Sequence, residues 1–214
     1  MLNRRKRNSY DAAVDRGSRS KDALLDAAER LIAERGFEVP LRDIALAAGQ
    51  RNNSAVNYHF RSRQDLLDAV VNRRLLPMEV ERERMLGELD QNGGDDGDVH
   101  ALMRILVLPL LRLESTHYLR FLQVVGPRLR TEPHDAAETA WPRVLDALSH
   151  AVPVADRGIR RRRVAAVATA MFAMAAQYER SAQDGWGDDG GTGDPEEIVH
   201  MLAAMLTASS PRLV

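Results

Sequence analysis

LRDIALAAGQRNNSAVNYHFRSRQDLL, residues 41–67, is the stretch that decides the fold, because it reads as two short helices about a glycine turn and then a third, separately capped helix. Leu41, Ile44, Ala45 and Ala48 recur at helical spacing; Pro40 pre-sets the entry, and Gly49 is free to take the left-handed conformation that ends the helix. The next helix has room for only about two turns. Its Val56 and Phe60 lie one turn apart on a buried side, which leaves Asn52, Asn53, Ser54 and Asn57 facing outward. A solvent-facing row of amides and a hydroxyl suits the reading of base edges, since Asn bonds adenine in two places and Ser donates or accepts. The layout is that of a helix-turn-helix.

The third helix opens with Ser62-Arg63-Gln64-Asp65, a hydroxyl cap with a carboxylate three residues on, before the apolar Leu66, Leu67, Val70 and Val71. Its free N–H groups and positive dipole end, supplemented by Arg61 and Arg63, suit a phosphate, although any exposed capped helix has the same groups. These residues together resemble the TetR family of ligand-responsive transcriptional regulators. The resemblance is carried by RDIALAAG at 42–49, YHF at 58–60 and RSRQDLL at 61–67, preceded by a helix with Leu24, Ala27, Ala28, Leu31 and Ile32 and by ERGF at 34–37. It covers the first third of the chain. Two features depart from the family pattern: the turn GQRNN is one residue longer, and Leu41 stands where threonine is common.

The resemblance implies that Asn53, Ser54, Ala55 and Asn57 face the major groove, with Arg42 reaching DNA from the preceding helix and Tyr58, His59 and Arg63 on backbone phosphate. The longer turn makes Asn52 an alternative base reader to Asn53. The plain alternative for Tyr58 and His59 is packing within a three-helix domain, and for Asn53 and Asn57 a solvated polar face.

Charge follows the same division. Residues 1–63 hold 13 Lys or Arg against 8 Asp or Glu, a net +5 within a 214-residue chain of net −1, so the remainder carries −6. A basic first third points to a polyanion partner for that third alone. The cluster Arg4 to Arg7 reads as a flexible basic arm over 1–17, with the DNA-binding domain at 18–66 and a helical effector-binding and dimerisation domain at 67–214. The expected class is therefore all-α. Without cysteine no disulfide framework exists; with no apolar run after the N-terminal charges and no bilayer-length segment, the sequence reads as cytoplasmic.

Beyond residue 67 the pattern stays helical. One helix is expected from Arg63 to about Leu89, kinked at Pro77; others carry Leu102 to Leu110, His117 to Val125, Glu138 to Ala151, and Arg157 to Gln183. The last begins at Asp194-Pro195-Glu196-Glu197, with a cap, a proline at the first position and two carboxylates at the positive dipole end. Its stripe Ile198, Met201, Leu202, Met205 and Leu206 buries either against its own chain or against a second subunit. In the family it resembles, the final helix pair forms a four-helix bundle with its copy, and a helix-turn-helix protein reads two half-sites.

Leu102, Met103, Leu106, Leu110, Tyr118, Phe121, Trp141, Met171, Met174 and Tyr178 are the candidate effector pocket, a reading that follows from the resemblance; singly, each is as readily ordinary core. Arg120, His117 and Arg128 beside them hint at an anionic group on a ligand. Gly185-Trp186-Gly187-Asp188-Asp189-Gly190 matches GxGxxG in letters only: it follows a helix rather than a strand, and its aspartates would repel pyrophosphate. The six histidines show no metal-ligand spacing, and no nucleophile elbow or phosphate loop appears. The expectation is a dimeric regulator, most simply a repressor released from an inverted-repeat DNA operator by a small molecule, with no cofactor, metal or membrane partner. Alternatives are a DNA-binding protein whose second domain only dimerises, and an all-helical enzyme, which would need a polar catalytic cluster.

Overall fold

The computed structural model describes residues 2–51, 54–91, 97–128, 139–184 and 194–209, with side chains from Gly17 onward except those of Ala55 and Pro127. Among these residues every regular element is helical: α1 (Leu2–Arg35), α2 (Leu41–Ala47), α3 (Ser54–His59), α4 (Arg63–Gln91), α5 (Val99–Leu111), α6 (Tyr118–Val125) with a 3-10 turn at Gly126–Arg128, α7 (Ala140–Ala151), α8 (Arg157–Gln183) and α9 (Pro195–Thr207). The chain forms two compact units, Met1–Arg73 and Arg74–Val214, so the division falls within α4.

In the first unit, α1 and α2 end by the same device. Gly36, at φ +88°, donates its N–H to the Ile32 carbonyl. Gly49, at φ +72°, follows α2; its N–H bonds the Leu46 carbonyl and that of Gln50 bonds Ala45, the paired closure that satisfies two otherwise orphaned carbonyls. Leu24, Ala28, Ile32, Ile44, Val56, Leu66 and Val70 make the core. Arg73 ties α4 to α1, bonding Asp26 at 2.6 Å and the buried Glu29 at 3.0 Å. Helix α1 starts at Leu2, and no glycine or proline interrupts the sequence before Gly17.

In the second unit α5 is the central element. Ten of its thirteen residues are buried, as an almost uniformly apolar helix requires. Helices α7, α8 and α9 pack around it, and α6 lies along α8. Asp98, Asp156 and Asp194 each cap a helix with the carboxylate, accepting backbone N–H groups at the starts of α5, α8 and α9. Pro77 and Pro109 lie inside α4 and α5, which continue through them.

One cap comes from far along the chain. Helix α6 has no side-chain cap at His117. The Ser115 hydroxyl accepts from Tyr118 N at 3.0 Å, and the buried Glu179 carboxylate of α8 accepts Leu119 N at 3.0 Å and Arg120 N at 3.1 Å. The stripe on α9 divides: Ile198, Leu202 and Leu206 bury within their own unit, whereas Met201 and Met205 stay about two-fifths exposed.

Candidate nucleic-acid interface

Helix α3 is too short to hold itself by backbone bonds alone. It is fixed by its inner side: Val56 is 1% and Phe60 5% exposed, and Phe60 N bonds the Val56 carbonyl at 2.7 Å. The opposite side is open. Ser54, Asn57 and Tyr58 are exposed, Tyr58 at 84%, an unusual position for a large aromatic. His59 is half-buried, its ring edge-on to Tyr58 at 5.0 Å and tilted against Phe60 at 6.1 Å. Arg42 on α2 is exposed. Asn52 and Asn53 lie outside the described residues, as does the Ala55 side chain. What is described is therefore one face of polar and aromatic tips on a helix whose other face is locked, backed at the turn by a Gln50 amide bond to Ser20 of α1 at 3.2 Å.

The start of α4 has the cap that its sequence spells. Ser62 Oγ accepts Asp65 N at 3.1 Å, while the Asp65 carboxylate takes Arg61 N at 3.1 Å and the Ser62 hydroxyl at 2.9 Å. Arg63 is engaged elsewhere. Its guanidinium donates to the Phe37 and Val39 carbonyls and lies 5.3 Å from the centre of the Phe37 ring. The reason is local: the chain turning from Gly36 into Pro40 leaves those carbonyls without helical partners, and a fork of N–H donors satisfies two at once. Arg63 is accordingly a brace between the α1–α2 connection and α4. Arg61, two residues before the helix, is an exposed basic side chain at this end.

In the second unit, Leu102, Met103, Leu106, Leu110, Tyr118, Phe121 and Met171 are buried, and Trp141, Met174 and Tyr178 are half-buried. An open groove lies between the start of α5 and the second half of α9, lined by Val99, His100, Pro153, His200, Ala203 and Thr207; none of those ten residues lines it. The polar residues suspected of facing a ligand are internally committed: Arg120 bonds Glu179, Gln183 and the Thr116 carbonyl, Arg128 the Val124 carbonyl, and His117 Nδ1 the Thr116 hydroxyl. The buried cation is one that sequence reasoning missed, Arg82 of α4, 1% exposed beside Leu106 and Trp141. Arg82 is one of two arginines in EVERERM, residues 79–85, and only its place four residues from the buried Met78 and Leu86 separates it from the exposed Arg84. Among the described residues no group of three metal-binding side chains occurs, and no helix is long and apolar enough to cross a membrane.

These elements define a helix-turn-helix head in one unit and an all-helical second unit. Residues 24–70 match the family model of bacterial regulatory proteins, tetR family. No curated protein matches. Among solved structures, the native form of NalD, the secondary repressor of the MexAB-OprM multidrug efflux pump in Pseudomonas aeruginosa, has the same fold, at 20% identity and a TM-score of 0.50, over 90% of this chain and 100% of that one. A second structure of NalD aligns at 19% identity and a TM-score of 0.48, over 91% of this chain and 98% of that one.

Proposed function

We propose that this chain is a sequence-specific repressor that binds an inverted-repeat operator as a homodimer, in the cytoplasm and without catalysis, and is released when a small molecule binds its second unit. The observation that carries the reading is the α3 face. Ser54, Asn57 and Tyr58 are exposed on a helix fixed through Val56 and Phe60, within a segment of net positive charge. Asn57 with Asn53, or with Asn52 in its place, reads base edges beside Ser54 and Ala55, while Arg42, Tyr58, His59 and Arg61 meet phosphate. Arg63 is not among the contacts, because its donors hold the Phe37 and Val39 carbonyls.

Recovery of genomic DNA bound by the protein, followed by inspection for an inverted repeat, tests the DNA half of this reading. Bound sites with half-sites about one helical turn apart, about 34 Å, support it; recovery of random fragments overturns sequence specificity. The dense burial of Leu102, Met103, Leu106, Phe121 and Met171 favours a second reading, in which the second unit only dimerises. Release of a bound operator by a small molecule decides between the two.

A further inference from the structure

Arg82 is the least expected residue of the second unit. It is 1% exposed and pairs with the Glu79 carboxylate, one helical turn back on α4, at 2.6 Å. Nη2 bonds the Leu106 carbonyl of α5 at 3.1 Å, and the guanidinium carbon lies 4.9 Å from the centre of the Trp141 ring. Nε is buried with no hydrogen-bond partner. A purely structural role accounts poorly for this arrangement: an orphaned buried N–H is destabilising, and an apolar side chain of similar volume in place of a buried ion pair is often neutral or stabilising. The unused donor is also the useful one, since the Nε and Nη2 edge of a guanidinium matches the two oxygens of a carboxylate.

The local charge favours an anion over a neutral acceptor. Glu79 is shared: its second oxygen accepts Trp141 N at 2.9 Å, in the first turn of α7, where Thr139 supplies no cap. One carboxylate therefore answers both a guanidinium and a helix start worth roughly half a positive charge. The surroundings are aromatic. Tyr118 is 1% exposed, stacked on Phe121 at 6.1 Å, with the Arg74 guanidinium 5.9 Å from its ring centre. The Trp141 indole against the guanidinium is itself half-buried, so one edge of this ring reaches solvent.

We propose that Arg82 is the recognition residue for an aromatic carboxylic acid, whose carboxylate takes the Nε and Nη2 edge while its ring replaces or stacks on Trp141. The proposal rests on the effector reading above and names its ligand class. A ligand carboxylate competes with Glu79 for Arg82, and thereby loosens the tie among α4, α5 and α7.

The probes are aryl carboxylates of one to three rings, benzoate, 1-naphthoate and 9-anthroate, each paired with its neutral methyl ester. Binding is followed by Trp141 fluorescence in the full-length Trp186→Phe protein and, separately, by release from the operator. At least one acid is expected to bind saturably and at least tenfold more tightly than its ester. Arg82→Met should bring acid and ester within about twofold of each other while far-UV circular dichroism keeps its helical signal. If Arg82→Met does not fold, Glu79→Gln decides: an amide oxygen still accepts Trp141 N, the competing charge is gone, and acid affinity should rise at least threefold with ester affinity unchanged. Equal binding of every acid and ester, no saturable binding by any acid, or an unchanged acid affinity in Glu79→Gln overturns the proposal. Operator release by acids and esters alike would overturn the carboxylate assignment while leaving the effector-released repressor standing.

Discussion

At the scale of single residues, Arg63 separates what a motif spells from what a side chain does. In the sequence RSRQDLL it stands at the start of a capped helix, where an anion is the obvious partner; folded, it spans from α4 to the two carbonyls that the Gly36 turn leaves unpaired. Arg63→Ala should therefore lower the stability of the protein by about 2–3 kcal/mol, the scale of hydrogen bonds to a charged group, read as a shift of the urea midpoint by circular dichroism. Operator and scrambled DNA affinities at low denaturant should stay close to wild type. An unchanged midpoint combined with a loss on both duplexes would return Arg63 to the phosphate backbone. Asn57 is argued the other way, from an exposed side chain on a fixed helix. Asn57→Ala should cost roughly 1–3 kcal/mol on the operator with non-specific binding and its salt slope unchanged, whereas Arg61→Ala should weaken both duplexes and reduce the salt slope by about one. Equal losses on both duplexes for Asn57→Ala would mean that α3 does not read bases.

At the scale of elements, the parts legible in the sequence are those whose determinants lie within one or two turns. The α2–Gly49 closure, the Ser62–Asp65 cap, the limits of α8 and the Asp194-Pro195 start of α9 all depend on local spacing, and each appears where the residues put it. Gly49→Ala should destabilise by about 1–2 kcal/mol, because the left-handed backbone at φ +72° disfavours a Cβ even though open space surrounds it; a thermal midpoint equal to wild type would show that the turn relaxes freely. The α6 cap was illegible for the opposite reason. Its acceptor, Glu179, lies about sixty residues downstream in a helix that reads as a simple amphipathic run, and only folding brings the carboxylate to Leu119 N and Arg120 N. Removing it strands two backbone N–H groups and Arg120 Nε, so Glu179→Ala should cost about 3–5 kcal/mol, with the milder Glu179→Gln retaining one acceptor. Calorimetry showing less than about 1 kcal/mol for Glu179→Ala would mean that α6 caps itself by other means.

At the scale of the whole molecule, the candidate pocket shows where periodicity stops being informative. Leu102, Leu106, Phe121 and Met171 sit at helical spacing whether they line a site or fill a core, and the structure buries them; Arg82, the group that distinguishes this interior, keeps the same spacing, four residues from the buried Met78 and Leu86, so the period does not tell a charge from a core residue. The α9 stripe poses the same question with a sharper answer. Its inner residues, Ile198, Leu202 and Leu206, are consumed within the unit, but Met201 and Met205, four apart and each about 40% exposed, stay on one face of that helix. Adaptable methionines at that spacing suit an apolar contact with a second copy, and an inverted-repeat operator demands two heads. Replacing Met201 and Met205 together by Asp places charge in that contact without touching the buried stripe. Circular dichroism should report an intact helical fold and light scattering a monomer, with operator affinity at least tenfold weaker than wild type while binding to scrambled duplex changes little. A dimer that survives both aspartates would remove this face of α9 from the interface and assign the pairing to another surface of the second unit.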